Sequence, residues 1–253
     1  MIGMLKSSKR QVFSLLFAML LSPVALAQSS ESITLHYSER KPYQYTDENG
    51  LPAGMLVAPT KKAFARAGIP VEWISAPFNR NLMAIQANDG NDCSIGWYKT
   101  PEREKFAQFT LPLHLDQPQI GIVRAGFNVP EGVTAKQMPG NPETRLLLKQ
   151  SFVYGAYLDN LISQMPVQNV QRVSVEIPNL LLMLRAYRAN LVLISNEEAE
   201  YYAGQPDFPM SDFQIVRFPD ALPGEPRYLM CSKWVSPALM ERLNQAIREE
   251  VAL

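Results

Sequence analysis

Histidine and cysteine are scarce in this chain, two of each in 253 residues. His36 and His114 stand far apart, and neither falls in the Cys/His/Asp spacing that holds zinc. With so few imidazoles, a Ser-His-Asp arrangement could arise only by accident. The chain also lacks a Gly-x-Ser-x-Gly elbow, a His-Glu-x-x-His helix and a glycine-rich phosphate loop. It has no excess of either charge: 24 Lys and Arg balance 24 Asp and Glu. That balance gives no reason to expect nucleic acid or an anionic membrane as the main partner. There is no internal repeat and no low-complexity tract. What remains, 47% apolar and 19% charged, is the composition of an ordinary globular protein. Neither a cofactor nor an enzymatic activity is expected from these residues.

The N-terminus reads as a leader. Lys6, Lys9 and Arg10 form a basic region, Val12 to Leu21 an apolar one, and Ala25-Leu26-Ala27 a small-x-small cleavage site before Gln28. A membrane span needs about 20 apolar residues, and this run is shorter. Residues 1–27 are therefore expected to be a signal peptide cleaved after Ala27, which places the mature protein in the periplasm. Removing them leaves 21 basic and 24 acidic residues, a net charge of −3. No later run is long enough to span a bilayer. Cys93 and Cys231 stay in the exported chain, and an oxidising compartment permits a disulfide between them.

The mature chain alternates short β-like runs with helix-like segments, which points to an α/β fold. Strands are expected at 33–37, 71–74, 93–97, 170–176, 213–218 and 227–232. Another is expected to end at Val153-Tyr154-Gly155. Leu191 to Ile194 is a continuous apolar run suited to a strand buried on both faces. Helices are expected at 59–67, stopped by Gly68, and at 156–165, 179–188 and 197–202, with a last one behind the Ser236-Pro237 cap. Pro101 suits the first turn of a helix, on which Phe106 and Phe109 would share a face.

Residues 93–123 carry the most information. A short apolar run ends in Trp97 and Tyr98, then Thr100-Pro101-Glu102-Arg103 starts a helix, and a second β-like run follows at Ile120-Gly121-Ile122-Val123. This order resembles the amino-acid-type bacterial periplasmic solute-binding proteins, family 3. Glu48-Asn49-Gly50 with Gly54 is similar to that family's early turn. The resemblance covers nearly the whole mature chain and implies a two-lobe type II periplasmic-binding-protein fold with two crossover strands as hinge. Lobe one would be 28–122 plus 227–253, and lobe two 123–226. In the family a further helix usually follows the segment similar to Ala238–Val251, so the lobe-one cover is expected to be incomplete here. The family also places the strands bearing Cys93 and Cys231 side by side and antiparallel, which implies a Cys93–Cys231 disulfide.

The resemblance also implies a binding site. Arg103 matches the arginine that grips a ligand carboxylate, chemistry that suits a rigid guanidinium fork. Phe78 matches the ring that stacks on the ligand. Trp97 and Tyr98 would wall the pocket beyond the strand ends, with Tyr37 and Arg80 at its edge and Tyr154 and Ser195 from lobe two. Lobe two departs from the family pattern. The Asp that pairs with a ligand ammonium is replaced by Ser195-Asn196, and the anion cradle by Tyr154-Gly155-Ala156-Tyr157. Arg40 and Lys41 make the pocket mouth more basic than usual. Glu197 and Glu198 could stand in for that Asp, but they read first as a solvated helix face.

The implied function is periplasmic binding of a small polar, carboxylate-bearing, amino-acid-like solute by hinge closure, by a monomer, for delivery to a membrane permease. An alternative is a sensory or interaction module regulating a membrane receptor, with a degenerate pocket. A third reading, a periplasmic dehydratase, would need Glu39 or Glu197 as its acid.

Overall fold

The computed structural model describes residues 31–251, so the expected signal peptide lies outside the described residues. The first sheet is built from β1 (Ile33–Tyr37), β4 (Val71–Ser75), β5 (Asp92–Trp97), β6 (Ala107–Phe109) and β13 (Pro226–Ser232), in the order β4-β1-β5-β13-β6. β1, β4 and β5 run parallel, and β13 returns antiparallel to β5. The short β7 (His114–Leu115) pairs with the start of β13. A hairpin of β2 (Tyr45–Thr46) and β3 (Pro52–Ala53) stands apart. One face of the sheet is covered by α1 (Val57–Ala67) and α7 (Pro237–Glu250), which pack on each other. Gly68 stops α1 in the left-handed conformation, φ 61°, that costs glycine least. The opposite face is covered by α2 (Phe78–Ala87), whose buried Ile85 meets Trp97 and Met230.

The second sheet has the order β10-β9-β11-β8-β12: β8 (Ile120–Arg124), β9 (Leu146–Lys149), β10 (Val170–Val173), β11 (Leu191–Ile194) and β12 (Phe213–Val216). Its central strands are buried on both faces. Leu191 and Leu193 join the core under α4 (Ala156–Ser163), while Val192 and Ile194 join the core under α5 (Ile177–Arg185) and α6 (Asn196–Ala203). This explains the unbroken apolar run at 191–194.

Two connections join the sheets, 116–119 outward and 217–225 back. They run in contact: the Asp116 N–H donates to the Glu225 carbonyl at 3.2 Å. A side chain at Gly224 would lie 1.8 Å from the Asp116 carbonyl oxygen, so only glycine fits there.

Cys93 and Cys231 face each other in the antiparallel β5–β13 register, Cα atoms 3.9 Å apart, and are disulfide-bonded. Two local expectations fail. The helix after Thr100, α3 (Pro101–Glu104), has only four residues, and Phe109 lies in β6 instead. β13 would otherwise present open backbone groups on that side, and pairing with Ala107–Phe109 satisfies them. The strand expected to end at 153–155 ends at Lys149. Ser151, at φ 63°, turns the chain away from the sheet. Phe152 and Tyr154 are therefore buried by the cleft and the lobe-two core rather than by strand pairing.

Candidate functional site

The site begins where β5 runs out. Trp97 is the last residue of β5, Tyr98 follows it, and Thr100 caps α3 by accepting from the Arg103 N–H at 3.3 Å. This short turn folds Arg103 back over the strand end. Its guanidinium lies 4.8 Å from the Trp97 ring centre, a cation–π distance. It donates to the Tyr98 carbonyl at 2.7 Å and, across the cleft, to the Ser151 carbonyl at 3.3 Å. Arg103 is only 8% exposed, yet among the described residues its side chain donates to carbonyls and to no carboxylate. Burial lowers its pKa to about 10, with the charge of Asp159 the largest opposing influence.

Phe78, at the start of α2, stacks on Trp97 with centroids 4.3 Å apart, and Phe152 from lobe two tilts against it at 4.6 Å. From Phe152 a column of alternating rings and guanidinium groups runs inward. Arg40 lies 4.4 Å from the Phe152 ring and 5.0 Å from Tyr43, and Arg227 lies 3.9 Å from Tyr43 and 4.6 Å from Tyr98.

Each cation in the column has its own carboxylate. Arg227, 2% exposed on its side chain, grips Asp116 with Nε at 2.7 Å and with a second nitrogen. Tyr98 donates its hydroxyl to the same carboxylate. Burial works against the Arg227 charge, but Asp116 more than offsets it and raises the pKa well above the ordinary arginine value. Arg40 forks onto Glu198 of α6, Nε to Oε1 at 2.8 Å and Nη2 to Oε2 at 3.1 Å. Beside this pair, Tyr43 donates to Glu197 Oε2 at 3.0 Å, and the Gln117 N–H donates to Glu197 Oε1 at 2.8 Å. Burial pushes both carboxyls up. For Glu198 the Arg40 charge, and for Glu197 the hydrogen bonds from His114, Gln117 and Tyr43, win and hold each below the usual range. The expectation of a solvated helix face at Glu197 and Glu198 is thus overturned. Both are buried, because the N-terminus of α6 points into lobe one rather than into solvent.

His114, Asp116 and Glu197 bring one ligand atom each within 4.8 Å of one another. The set does not suit a metal ion. Asp116 is already neutralised by Arg227, and the Glu197 oxygens are taken by Tyr43 and Gln117.

Two spaces border Arg103. The inner one, among Arg40, Phe78, Trp97, Phe152 and Arg227, is about 10 Å³, room for a single water. The outer one, between the Tyr98–Arg103 turn and the start of α4, is a groove of about 730 Å³.

Residues 33–252 match the bacterial extracellular solute-binding proteins, family 3. The chain belongs to this family. Its two-lobe fold is similar to that of an ancestral arginine-binding protein bound to arginine, at 21% identity and a TM-score of 0.69, covering 87% of this chain and 92% of that one. The holo arginine-binding protein of T. maritima is similar at 21% identity and a TM-score of 0.67, covering 87% and 90%. The periplasmic domain of B. pertussis BvgS is similar at 17% identity and a TM-score of 0.69, covering 86% of this chain and 40% of that one. No curated protein matches the chain in sequence. Among the described residues no helix is long and apolar enough to cross a membrane.

Of the residues that the family resemblance singled out, the fold brings Phe78, Trp97, Tyr98 and Arg103 to one place. Four others lie elsewhere. Tyr37 is buried in the lobe-one core, where its hydroxyl meets Thr46 at 3.0 Å. Arg80 is exposed on α2. Tyr154 is buried in lobe two and accepts the Lys149 N–H at 2.9 Å. Ser195 is fully buried as the N-cap of α6, its hydroxyl shared with Glu198. Sequence reasoning missed Phe152, Asp116 and Arg227, and it read Glu198 as solvated. The available signal was Arg40, an unexpected cation at the pocket mouth that needs a carboxylate partner once buried.

Proposed function

We propose that this chain binds a small carboxylate-bearing solute between its lobes in the periplasm, closing about the connections at 116–119 and 217–225, and delivers it to a membrane transporter. The observation that carries this reading is Arg103. It is a buried guanidinium without a carboxylate partner among the described residues, it touches both lobes, and it borders the 730 Å³ groove. A ligand carboxylate there would supply the missing counter-charge and would hold the closed arrangement through contacts to both lobes. The similar arginine-binding proteins bind amino acids, which agrees with such a ligand.

Calorimetric titration against amino acids, small carboxylates and short peptides tests it. Arg103→Ala should weaken binding by about 100-fold or more while the fold survives. Arg103→Lys should fail nearly as badly, since a point charge lacks the two-bond fork. The exposed Arg80→Ala serves as control. Unchanged affinity in Arg103→Ala would overturn the reading.

A second reading, a sensory module for a membrane receptor, draws support from the inner cleft. There the chain's own Arg40, Phe152 and Arg227 leave about 10 Å³ where a family ligand would lie. The likeness to the BvgS periplasmic domain points the same way. Pull-down from solubilised membranes separates the two: a permease favours delivery, a receptor kinase or cyclase favours sensing.

A further inference from the structure

The groove beside Arg103 carries both signs of charge in equal number. Arg103, Arg172 and Lys99 line it, and so do Asp159, Glu225 and Glu102. Lys99 is held by Glu104, at 2.8 Å. Asp159, in the first turn of α4, is half-buried and, among the described residues, accepts only from the Tyr154 N–H, at 3.1 and 3.2 Å. Its carboxyl is pushed up to about 6, chiefly by burial, against the pull of the Tyr154 N–H and of the Arg172 and Arg103 charges. Arg103 and Asp159 thus face the same groove, sense each other's charge, and are bonded to other groups.

The position after β11, where a carboxylate would meet a ligand ammonium, offers nothing of the kind. Ser195 is spent on its capping box. The Asn196 amide donates to Gln117 and Glu200, and its oxygen accepts from Arg217 at 2.6 Å. A groove of about 730 Å³ also falls among sites for drug-sized molecules rather than for one free amino acid.

The geometry points to a zwitterionic solute larger than a single amino acid, such as a short peptide with free ends, whose carboxylate lies on Arg103 and whose ammonium lies on Asp159. This deepens the proposed solute-binding function and rests on Arg103 as the carboxylate anchor. A balanced groove suits a ligand without net charge. One end of the ligand would compensate the buried Arg103 and the other the half-buried Asp159, neither of which has an ion-pair partner among the described residues. Asp159 then does from α4 what the segment after β11 does not.

Three matched libraries of di- and tripeptides test this by native mass spectrometry: one with free termini, one N-acetylated, one C-amidated. The wild-type protein should retain free peptides, and N-acetylation should weaken the retained ones about tenfold or more, the worth of one charge-assisted bond. Amidation should weaken them at least as much. In Asp159→Asn, which keeps an oxygen for the Tyr154 N–H and whose fold a melting curve checks, free and N-acetylated peptides should bind equally. N-acetylated peptides that bind the wild type as tightly as free ones would overturn the Asp159 assignment. Arg103 would stand as anchor if amidation still weakens binding. Retention of nothing from any of the three libraries would overturn both.

Discussion

Arg40 and Glu198 lie 158 residues apart in the chain, yet their side chains meet fork to fork between the lobes, at 2.8 and 3.1 Å. Both are nearly excluded from solvent, their side chains 10% and 1% exposed. A buried pair of this kind adds little net stability over an apolar pair of the same shape, because desolvating two charges offsets most of their attraction. Its effect is directional. It holds the lobes in one relative position and makes any other cost two solvated charges their partners.

Removing one partner should therefore be far worse than removing both. Glu198→Leu and Arg40→Met should each cost about 3–5 kcal/mol in urea unfolding, by leaving a buried charge alone. Arg40→Met with Glu198→Leu should recover more than half of that loss. A double variant as unstable as the sum of the single ones would show that the pair is not coupled.

The titration of the cleft has two limbs of opposite sign. Glu197 and Glu198 are held below the ordinary glutamate value of 4.5, so their contribution is complete above that pH and fades as acid approaches the lower, folded value. Asp159, raised to about 6 from 3.8, acts the other way. As pH falls from neutral through 6, the folded protein takes up a proton that the unfolded chain still lacks, and the folded state gains. The melting temperature should pass through a maximum between these ranges. Asp159→Asn should flatten the neutral limb. Small-angle scattering should show the lobes separating on the acid side of the maximum. A melting temperature that falls steadily from pH 7 to 5 would contradict the Asp159 part.

The lobes were legible from local pattern because their elements are set by local physics. β1 at 33–37, the apolar run at 191–194, the Gly68 stop and the Thr100-Pro101 cap each depend on neighbours in sequence. The cleft depends on residues far apart. Nothing near Arg227 announces Asp116, 111 positions away. Three glutamates in Asn196–Ala203 read as a wet helix face until the fold turns the first turn of that helix inward. Phe152-Val153-Tyr154 reads as a strand because an apolar run looks the same whether a sheet or a cleft buries it.

The Cys93–Cys231 bond spans 138 positions and encloses the whole second sheet within its loop. Chain-entropy models assign a loop of this length about 4–5 kcal/mol, an upper estimate because real unfolded chains retain structure. Replacing both cysteines with alanine should lower stability by about 2–5 kcal/mol. Binding should survive at temperatures where the protein stays folded, since neither residue lines the groove. Two free thiols in the unfolded, unreduced protein would contradict the bridge.

Phe152 decides what the inner cleft can admit. Its ring fills the space between Phe78, at 4.6 Å, and Arg40, at 4.4 Å. Truncating a buried phenylalanine costs about 3–5 kcal/mol in a closed core. At the border of an open groove, where water can enter, Phe152→Ala should cost less, about 2–3 kcal/mol. The cavity it leaves would be walled by Phe78 and Trp97, with the Arg103 guanidinium at its edge. An apolar void with one cation at its rim suits a ring that bears a carboxylate. Free phenylalanine should therefore raise the melting temperature of Phe152→Ala by several degrees, and phenylalanine amide, which lacks the carboxylate, should not. Equal effects of the two would mean that the void, and not Arg103, recognises the ligand. No effect of either would mean that the lobes collapse into the space when the ring is gone.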